Sequence, residues 1–407
     1  MRIIHTSDWH LGRRLGRIDR TDDLRRAVKQ VADICQREKA DVLLICGDLF
    51  EQGRADVMRD WMDQLNETFG SFLQAGGTIL ALTGNHDNEN VAQMLHQAMK
   101  LAAPAISEKG GLLMPGRFHL FTGPTFFRLA DRAGGNVQFI AMPSPTPARY
   151  LKGDDAQAYQ GFDERNRALK TAYAATLEAI FAHPKFDKTC PAVLAAHIIS
   201  SGAEVREQVR LGEGEAVIMP DNDLPAHLAY VALGDIHKPQ TLMGLEHVRY
   251  SGSIDRMDAG EVGDEKGVVR VDIDPQTRAV AAKWMSIEAT PVYRIEIHDP
   301  AAEIPSLAQT YPDHERALVT VELRYRAGRD DLNALLAELN RIFPRMYNCT
   351  PIDISGGENA ASAYDGIASQ TLRQTTLDYV RSQLEGDEDR EDIIGLVEAF
   401  VTQLEQK

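Results

Sequence analysis

Aspartate and histidine recur in this chain in short clusters, each placed where an apolar run stops. Asp8-Trp9-His10 follows Arg2–Thr6, Gly47-Asp48 follows Asp41–Cys46, and Gly84-Asn85-His86-Asp87 follows Thr78–Leu82. Farther on, Ala192–Ala196 ends at His197, Leu228–Leu233 ends at Gly234-Asp235-Ile236-His237, and Tyr250-Ser251-Gly252-Ser253 closes one more run. Carboxylates, imidazoles and an amide oxygen suit Mn²⁺, Fe²⁺ or Zn²⁺ better than Ca²⁺, and the lack of a thiolate argues against a structural zinc site. Asp48 is the natural bridge between two ions. Two ions roughly 3.5–4 Å apart bind a phosphoryl oxygen, generate hydroxide at neutral pH and stabilise an in-line displacement. That chemistry hydrolyses a phosphodiester without a covalent enzyme intermediate.

The elements that must position these groups are legible in the pattern. Each apolar run is too short for a typical helix and rich in Val, Ile and Leu. Helical patterns at about 22–38, 54–70 and 89–102 link the first strands, and another spans about 163–182, which predicts βαβ units. In such sheets ligands gather beyond the carboxyl ends of the strands, so five strand ends would serve one rim. The stretch Gly110–Pro147 reads as short strands with turns, and Lys266–Ile273 with Ala279–Trp284 as a hairpin closing a second sheet. After Pro291 come a strand Val292–Ile297, a strand Ala317–Tyr325, a helix Asp331–Ile342 and a strand Met346–Ile354, which make a small α+β unit. Residues 357–368 read as a linker. The tail, 369–407, places apolar helical faces at Ser369–Leu384 and Ile393–Leu404 on either side of an acidic turn.

Composition narrows the class. At 407 residues and 43% hydrophobic content the chain exceeds one typical domain and is not extensively disordered. Cys35, Cys46, Cys190 and Cys349 make no Cys-x-x-Cys pair and are expected to stay reduced. There is no long apolar stretch, and Met1-Arg2 pass directly into a strand with no signal-type apolar region or cleavage signal, so neither a membrane span nor a signal peptide is expected, and the cytoplasm is the default. The net charge of −16 is awkward for a partner rich in phosphate. Yet Arg13, Arg14, Arg17, Arg20, Arg25 and Arg26 follow the first cluster. A solvated helix face interleaved with Asp19, Asp22 and Asp23 is the plainer account of them; Arg13, Arg14 and Arg17 are nevertheless expected near incoming phosphates.

The ordered set Asp-x-His, Gly-Asp, Gly-Asn-His-Asp, lone His and Gly-x-x-His resembles that of the calcineurin-like metallophosphoesterases. With His5–Gly12, Tyr230–Gln240 and Val248–Ser253, the chain resembles their SbcD-type branch, the nucleases of double-strand-break repair, over roughly the first 285 residues. The resemblance implies an α/β fold, a four-layer αββα sandwich over 1–287, with a small α+β capping domain at 288–356 and a C-terminal helical hairpin. It implies a metal-dependent DNA exonuclease and endonuclease acting at DNA ends or hairpins. The partner would be an SbcC-type ATPase, with the nuclease a homodimer inside a heterotetramer.

Two divalent ions are implied, Mn²⁺ foremost, with Mg²⁺, Fe²⁺ or Zn²⁺ as alternatives. By the same resemblance Asp8, His10, Asp48 and His237 hold one ion, and Asp48, Asn85, His197 and Asp235 the other. His86 protonates or stabilises the leaving oxygen, Asp87 orients it, and Ser251 and Ser253 join the arginines as substrate contacts. Two residues depart from the pattern. Asp235 stands where the family has His, and Glu51 where archaeal and eukaryotic members carry a His near the substrate. Trp61, Leu65, Val91, Met94 and Leu95, on the second and third helical patterns, are candidates for a two-fold helix bundle. Two rival functions share the residues: a phosphodiesterase for a small nucleotide or other diester, and a catalytically weakened scaffold.

Overall fold

The computed structural model of the protein describes residues 1–51, 55–102, 106–108, 111–113, 117–151, 161–205 and 217–355, together with Ile394 and Val397. Contact density divides the chain into two compact units. The first is Met1–Arg294 with Asp313–Thr320 and Phe343–Asn348; the second is Ile295–Pro312, Val321–Ile342 and Cys349–Lys407.

Two mixed sheets build the first unit. One is six-stranded, in the order Val280–Ile287, Lys266–Ile273, Arg2–Thr6, Val42–Ile45, Thr78–Leu82, Phe118–Phe121. The other has eight strands, in the order Gln240–Leu242, Leu245–Tyr250, Tyr230–Gly234, Ala192–His197, Asn136–Met142, Thr125–Ala130, Gly111–Leu113, Ile106–Glu108. Successive side chains of a strand point to opposite faces. Val42 and Leu44 therefore pack between the sheets, with Ile3, Leu80, Phe139, Val193 and Ala232. Leu43 and Ile45 pack outward, under the helices Thr21–Arg37, Ala55–Gln74 and Glu89–Ala102. On the other side Val193 and Ala195 face the inter-sheet core while Leu194 and Ala196 pack with Leu169, Tyr173 and Leu177 of helix Phe162–Ala182. Burial on both faces is why these strands read as unbroken apolar runs rather than alternating ones. The layers run helix, sheet, sheet, helix.

Parallel register aligns the functional ends. Thr6 pairs with Ile45 and Ile45 with Ala81 in one sheet, and His197 pairs with Gly234 in the other. One buried polar link joins the sheets just below that rim. His5 lies between the Tyr230 hydroxyl, 3.0 Å from Nδ1, and the Leu233 carbonyl, 3.2 Å from Nε2. A carbonyl only accepts, so Nε2–H donates to it and Nδ1 accepts from Tyr230. Burial holds the ring neutral, its pKa pushed down to about 3.

A separate three-stranded sheet is ordered Val292–Ile297, Leu318–Tyr325, Met346–Asp353, and helix Leu332–Ile342 falls in the second unit. The short turns Pro300–Glu303 and Leu307–Thr310 were not visible in the sequence pattern. The linker at 357–368 and the tail helix Ser369–Leu384 lie outside the described residues, as does all of Ile393–Leu404 but Ile394 and Val397. No helix among the described residues is long and apolar enough to cross a membrane.

Two expectations about surface residues change. Trp61 and Leu65 are buried in the core under the first sheet, and Val91 and Leu95 pack partly buried against it, so of the five bundle candidates Met94, 64% exposed, is the most open to solvent. The cause is amphipathicity: the apolar stripe of each helix covers its own sheet. Arg20, expected on a solvated face, is fully buried, with Nε 2.7 Å from Asp23 and Nη2 2.8 Å from Asp255. Asp255 also accepts from the amide and hydroxyl of Thr290, both at 2.6 Å. Removing one member of a buried pair strands the other charge, at a cost of about 3–5 kcal/mol. Asp255→Ala should lower the unfolding free energy by about that amount in denaturant titration; a loss under about 1 kcal/mol would show that Arg20 finds compensation elsewhere.

Candidate metal centre

The centre is built from two loops laced together by their backbones. The amide of Asp8 donates to the carbonyl of Gly47 at 3.1 Å, those of Trp9 and His10 both to Asp48 at 2.9 Å, Leu11 to Leu49 at 3.0 Å, and Glu51 back to Leu11 at 3.0 Å. This lacing needs unusual backbone. Asp8, His10, Asp48 and Asp235 have φ of 53°, 46°, 50° and 95°, in the left-handed region that Asp and His tolerate better than most residues. Gly47, at φ 93°, lies so close to His197 that a Cβ there would stand 2.0 Å from Nδ1. A Cβ on Gly84 would stand 1.9 Å from Asp48 Oδ1, so the Gly84–Asp87 turn closes directly over that carboxylate. Trp9 is buried beneath the loop, its indole N–H donating to Thr6 Oγ1 at 3.0 Å and its ring stacked on Phe69.

Proton placement follows from each ring's fixed partner. His10 Nδ1 is 2.7 Å from Glu51 Oε2, His237 Nδ1 2.8 Å from Glu261 Oε1, and His197 Nδ1 2.8 Å from the Cys46 carbonyl. Each of these oxygens accepts, so each Nδ1 carries the hydrogen and each neutral ring presents its Nε2 lone pair. Those lone pairs converge. His10 Nε2 and His237 Nε2 are 3.1 Å apart, and His197 Nε2 is 2.9 Å from Asn85 Oδ1. Two acceptors at such distances repel unless a cation, either a proton on one of them or a metal ion, lies between them. Donors each about 2.1 Å from one ion, at near right angles, stand about 3 Å apart.

Asp48 lies between the two pairs. Its Oδ1 accepts from the His86 amide at 2.9 Å, and its Oδ2 is 3.4 Å from His197 Nε2 and 3.7 Å from His10 Nε2. Asp8 completes the first cluster and accepts from Ser7 Oγ at 2.5 Å and the Asp235 amide at 3.1 Å. Asp235 Oδ1 is 3.6 Å from His197 Nε2. Donor atoms of Asp8, His10 and His237, and of Asp8, Asp48 and His197, lie within 4.8 Å of one another, as do those of His10, Asp48 and His86. Oxygen and imidazole nitrogen in two adjoining clusters fit two divalent ions.

The charges are tightly coupled. Burial alone would raise the Asp48 pKa, but His197 and His10 hold that carboxyl far below its ordinary range. Burial, reinforced by Asp48 and Asp8, pushes Asp235 up to about 6. Burial would lower His197, yet Asp48 and Asp235 raise it well above its ordinary value. His10 is lowered by burial despite Glu51 and Asp48.

The remaining nominated residues separate. Asn85 and His86 lie at the exposed lip, with the His86 ring 4.7 Å, centroid to centroid, from that of His10. Asp87 turns inward, its carboxylate accepting from the amides of Gly84 at 2.8 Å, Phe50 at 2.8 Å and Leu49 at 3.3 Å. It therefore clamps the turn to the Asp48 loop, and the acid beside the His86 ring is instead Glu51, 3.6 Å from Nδ1. Arg13 donates to both Glu51 oxygens, at 3.0 and 3.1 Å. Arg14 turns to Asp19 and the Arg17 carbonyl on an exposed hairpin, where Arg17 is exposed too. Ser251 and Ser253 are fully buried and so are not open to substrate. Ser251 Oγ lies 2.9 Å from Ser7 Oγ, behind Asp8, and Ser253 Oγ donates to the Asp255 carbonyl at 2.8 Å.

Pattern reading passed over Glu261, Lys266 and Arg149. The Arg149 guanidinium is almost wholly buried, bonded to the carbonyls of Gly84 and Ser144 at 3.1 and 3.0 Å and to Glu89 at 2.8 Å, which fixes the Asn85-His86 turn from below. None of the three stands in a ligand-like motif. The one local signal was Asp258-Ala259-Gly260-Glu261, an acidic turn directly before a strand.

Comparison with known proteins supplies the family. The family model for calcineurin-like phosphoesterases matches residues 1–239. The chain is 27% identical over 332 residues to the SbcD component of nuclease SbcCD from Bacillus subtilis, covering 80% of this chain and 79% of that one. It is 30% identical over 293 residues to the protein of that name from Rhodobacter capsulatus, covering 67% and 66%. For the Escherichia coli K12 protein of that name the identity is 26% over 275 residues, covering 66% and 64%.

Imidazoles and carboxyls must shed protons to hold a cation, so metal affinity must rise with pH. Asp235 ionises only near 6, and the raised His197 extends the dependence above the ordinary histidine range. Titration calorimetry with Mn²⁺ should show affinity climbing from about pH 5 to pH 8 with net proton release. A flat profile would remove these two groups from the centre.

Proposed function

We propose that this chain, which belongs to the calcineurin-like phosphoesterase family and hydrolyses phosphodiester bonds, is a metal-dependent DNA nuclease working as one part of a larger machine. The observation that carries the catalytic reading is the pairing of acceptors, His10 with His237 and His197 with Asn85, on either side of Asp48. Asp8, His10, Asp48 and His237 would hold one divalent ion, and Asp48, Asn85, His197 and Asp235 the other, Mn²⁺ being the first choice. When bound, such ions draw charge from a phosphoryl group and make water nucleophilic at neutral pH.

The chain's own groups do the rest. Asp48 keeps Oδ2 toward both clusters because the His86 amide occupies Oδ1. His86, 41% exposed, is open to substrate, and its Nδ1 side faces Glu51, which leaves Nε2 to give a proton to the leaving oxygen. An acid so placed contributes about 10²–10⁴-fold to the rate.

The DNA substrate and an SbcC-type ATPase partner are supported by the name the relatives share, which makes each of them one component of the SbcCD nuclease. In this reading 288–356 caps the catalytic domain, 357–368 is a linker and 369–407 binds the ATPase, the nuclease pairing as a dimer. One observation favours the second reading, a small diester as substrate. Of the cations nominated for phosphates, Arg13 is tied to Glu51 and Arg14 to Asp19.

The purified protein, alone and with its ATPase, incubated with end-labelled hairpin and duplex DNA across Mn²⁺, Mg²⁺ and Zn²⁺, decides between them. Cutting of DNA is expected, and turnover confined to a chromogenic diester would favour the second reading. In the same assay His86→Ala should lose at least about a hundredfold in turnover while keeping its metals. Loss of metal there would make His86 a ligand. Asp48→Ala should lose at least one ion outright, and Asp235→Ala should lose one selectively, as counted by plasma mass spectrometry.

A further inference from the structure

Each neutral imidazole has one N–H and one lone pair, so a histidine that offers Nε2 must have its Nδ1 hydrogen held by something. For His237 the holder is Glu261, at 2.8 Å. Glu261 is itself buried, 2% exposed, and a carboxylate there needs a counter-charge. The fully buried Lys266 supplies it, with Nζ 2.5 Å from Glu261 Oε2. The same ammonium donates to the His237 carbonyl at 2.9 Å and to Ser253 Oγ at 2.8 Å. Its three hydrogens are then all committed. Ser253 is fixed in turn, its amide donating to that same His237 carbonyl at 3.2 Å. The Met257 amide, at 3.2 Å, holds the second carboxylate oxygen further.

We infer that Glu261 and Lys266 form a buried positioning pair for His237, the carboxylate fixing which ring nitrogen carries the hydrogen while the ammonium pins that carboxylate and the residue's backbone together. The inference rests on the metal-binding reading of His237, and deepens it. Glu261 comes from the short helical turn Ala259–Glu261 and Lys266 opens the strand Lys266–Ile273, so the pair ties His237 to the second strand of the six-stranded sheet. His10 has an acid at the matching atom, but Glu51 there is partly open and shared with Arg13 and His86. The two histidines facing one another across 3.1 Å are therefore held with unequal rigidity.

Two double variants of the full chain test the pair, both leaving no ammonium stranded. In Glu261→Gln with Lys266→Met the amide oxygen can still accept from Nδ1–H; in Glu261→Met with Lys266→Met nothing can. Partners of this kind are commonly worth about 10–100-fold in metal affinity. By calorimetry the Gln variant should stay within a few-fold of the parent for Mn²⁺, whereas the Met variant should lose about 10–100-fold at one of two sites. In metal-free protein labelled with ¹⁵N-histidine, at a pH where the ring is neutral, His237 should carry its proton on Nδ1 in the parent and Gln variant and lose that preference in the Met variant. A folded Met variant with parental affinity and an unchanged proton position would overturn the inference, as would a Gln variant as weak as the Met one. If the parent itself bound no Mn²⁺, the metal reading would fall, and the proton position would still judge the pair.

Discussion

The rest of the site depends on one constraint: two sheets must end at the same height, with their terminal loops hydrogen-bonded into one. The amides of residues 8–11 donate in succession to the 47–49 backbone, and His197 reaches from the other sheet to the Cys46 carbonyl just below. No ligand side chain could be placed alone. A shift of Arg2–Thr6 by one residue against Val42–Ile45 would turn Ile4 from the helix-facing core to the inter-sheet core, and would unpick the loop lacing as well. The apolar packing of the sandwich thereby sets the ångström-scale spacing of polar groups at its rim.

Most of that arrangement is legible in the sequence, because it is written in short-range signals. Strand runs bounded by Gly-Asp or Gly-Asn-His-Asp, and helices with one apolar stripe, show themselves by period and punctuation. The ligand residues carry their chemistry in their side-chain types. Roles decided by tertiary direction could not be read that way. Asp87 sits beside His86 in sequence, yet its carboxylate turns toward three backbone amides. Arg20 is adjacent to a run of exposed charges, yet it is buried on Asp23 and Asp255, the second of which is distant in the chain. Ser251 and Ser253 look like substrate groups in a polar tetrapeptide, and both are sealed under the first loop. Glu51 invited attention only as a departure, whereas in space it meets His10, Arg13 and His86 together.

Buried charge is distributed unevenly in this protein. At the rim it is left in excess: Asp8, Asp48 and Asp235 crowd His10, His197 and His237, and the site as a whole favours cations. Beneath the rim it is balanced group by group, as with Arg20 against Asp23 and Asp255, Lys266 against Glu261, and Arg345 Nη1 against Asp23 at 3.0 Å. A matched pair costs desolvation but holds a fixed geometry, which suits groups that must position others. An unmatched cluster suits groups that must bind.

The left-handed backbone at Asp8, His10, Asp48 and Asp235 has an evolutionary corollary. Outside glycine, the residues that enter this region most readily are Asn, Asp and His, and β-branched or bulky apolar residues are excluded. Those same three residues supply the oxygen and nitrogen donors of the rim. The conformational filter and the chemical one therefore pass nearly the same short alphabet. Random change at these positions is steered toward exchanging one donor for another, and an Asp or a His at 235 would pass such a filter equally.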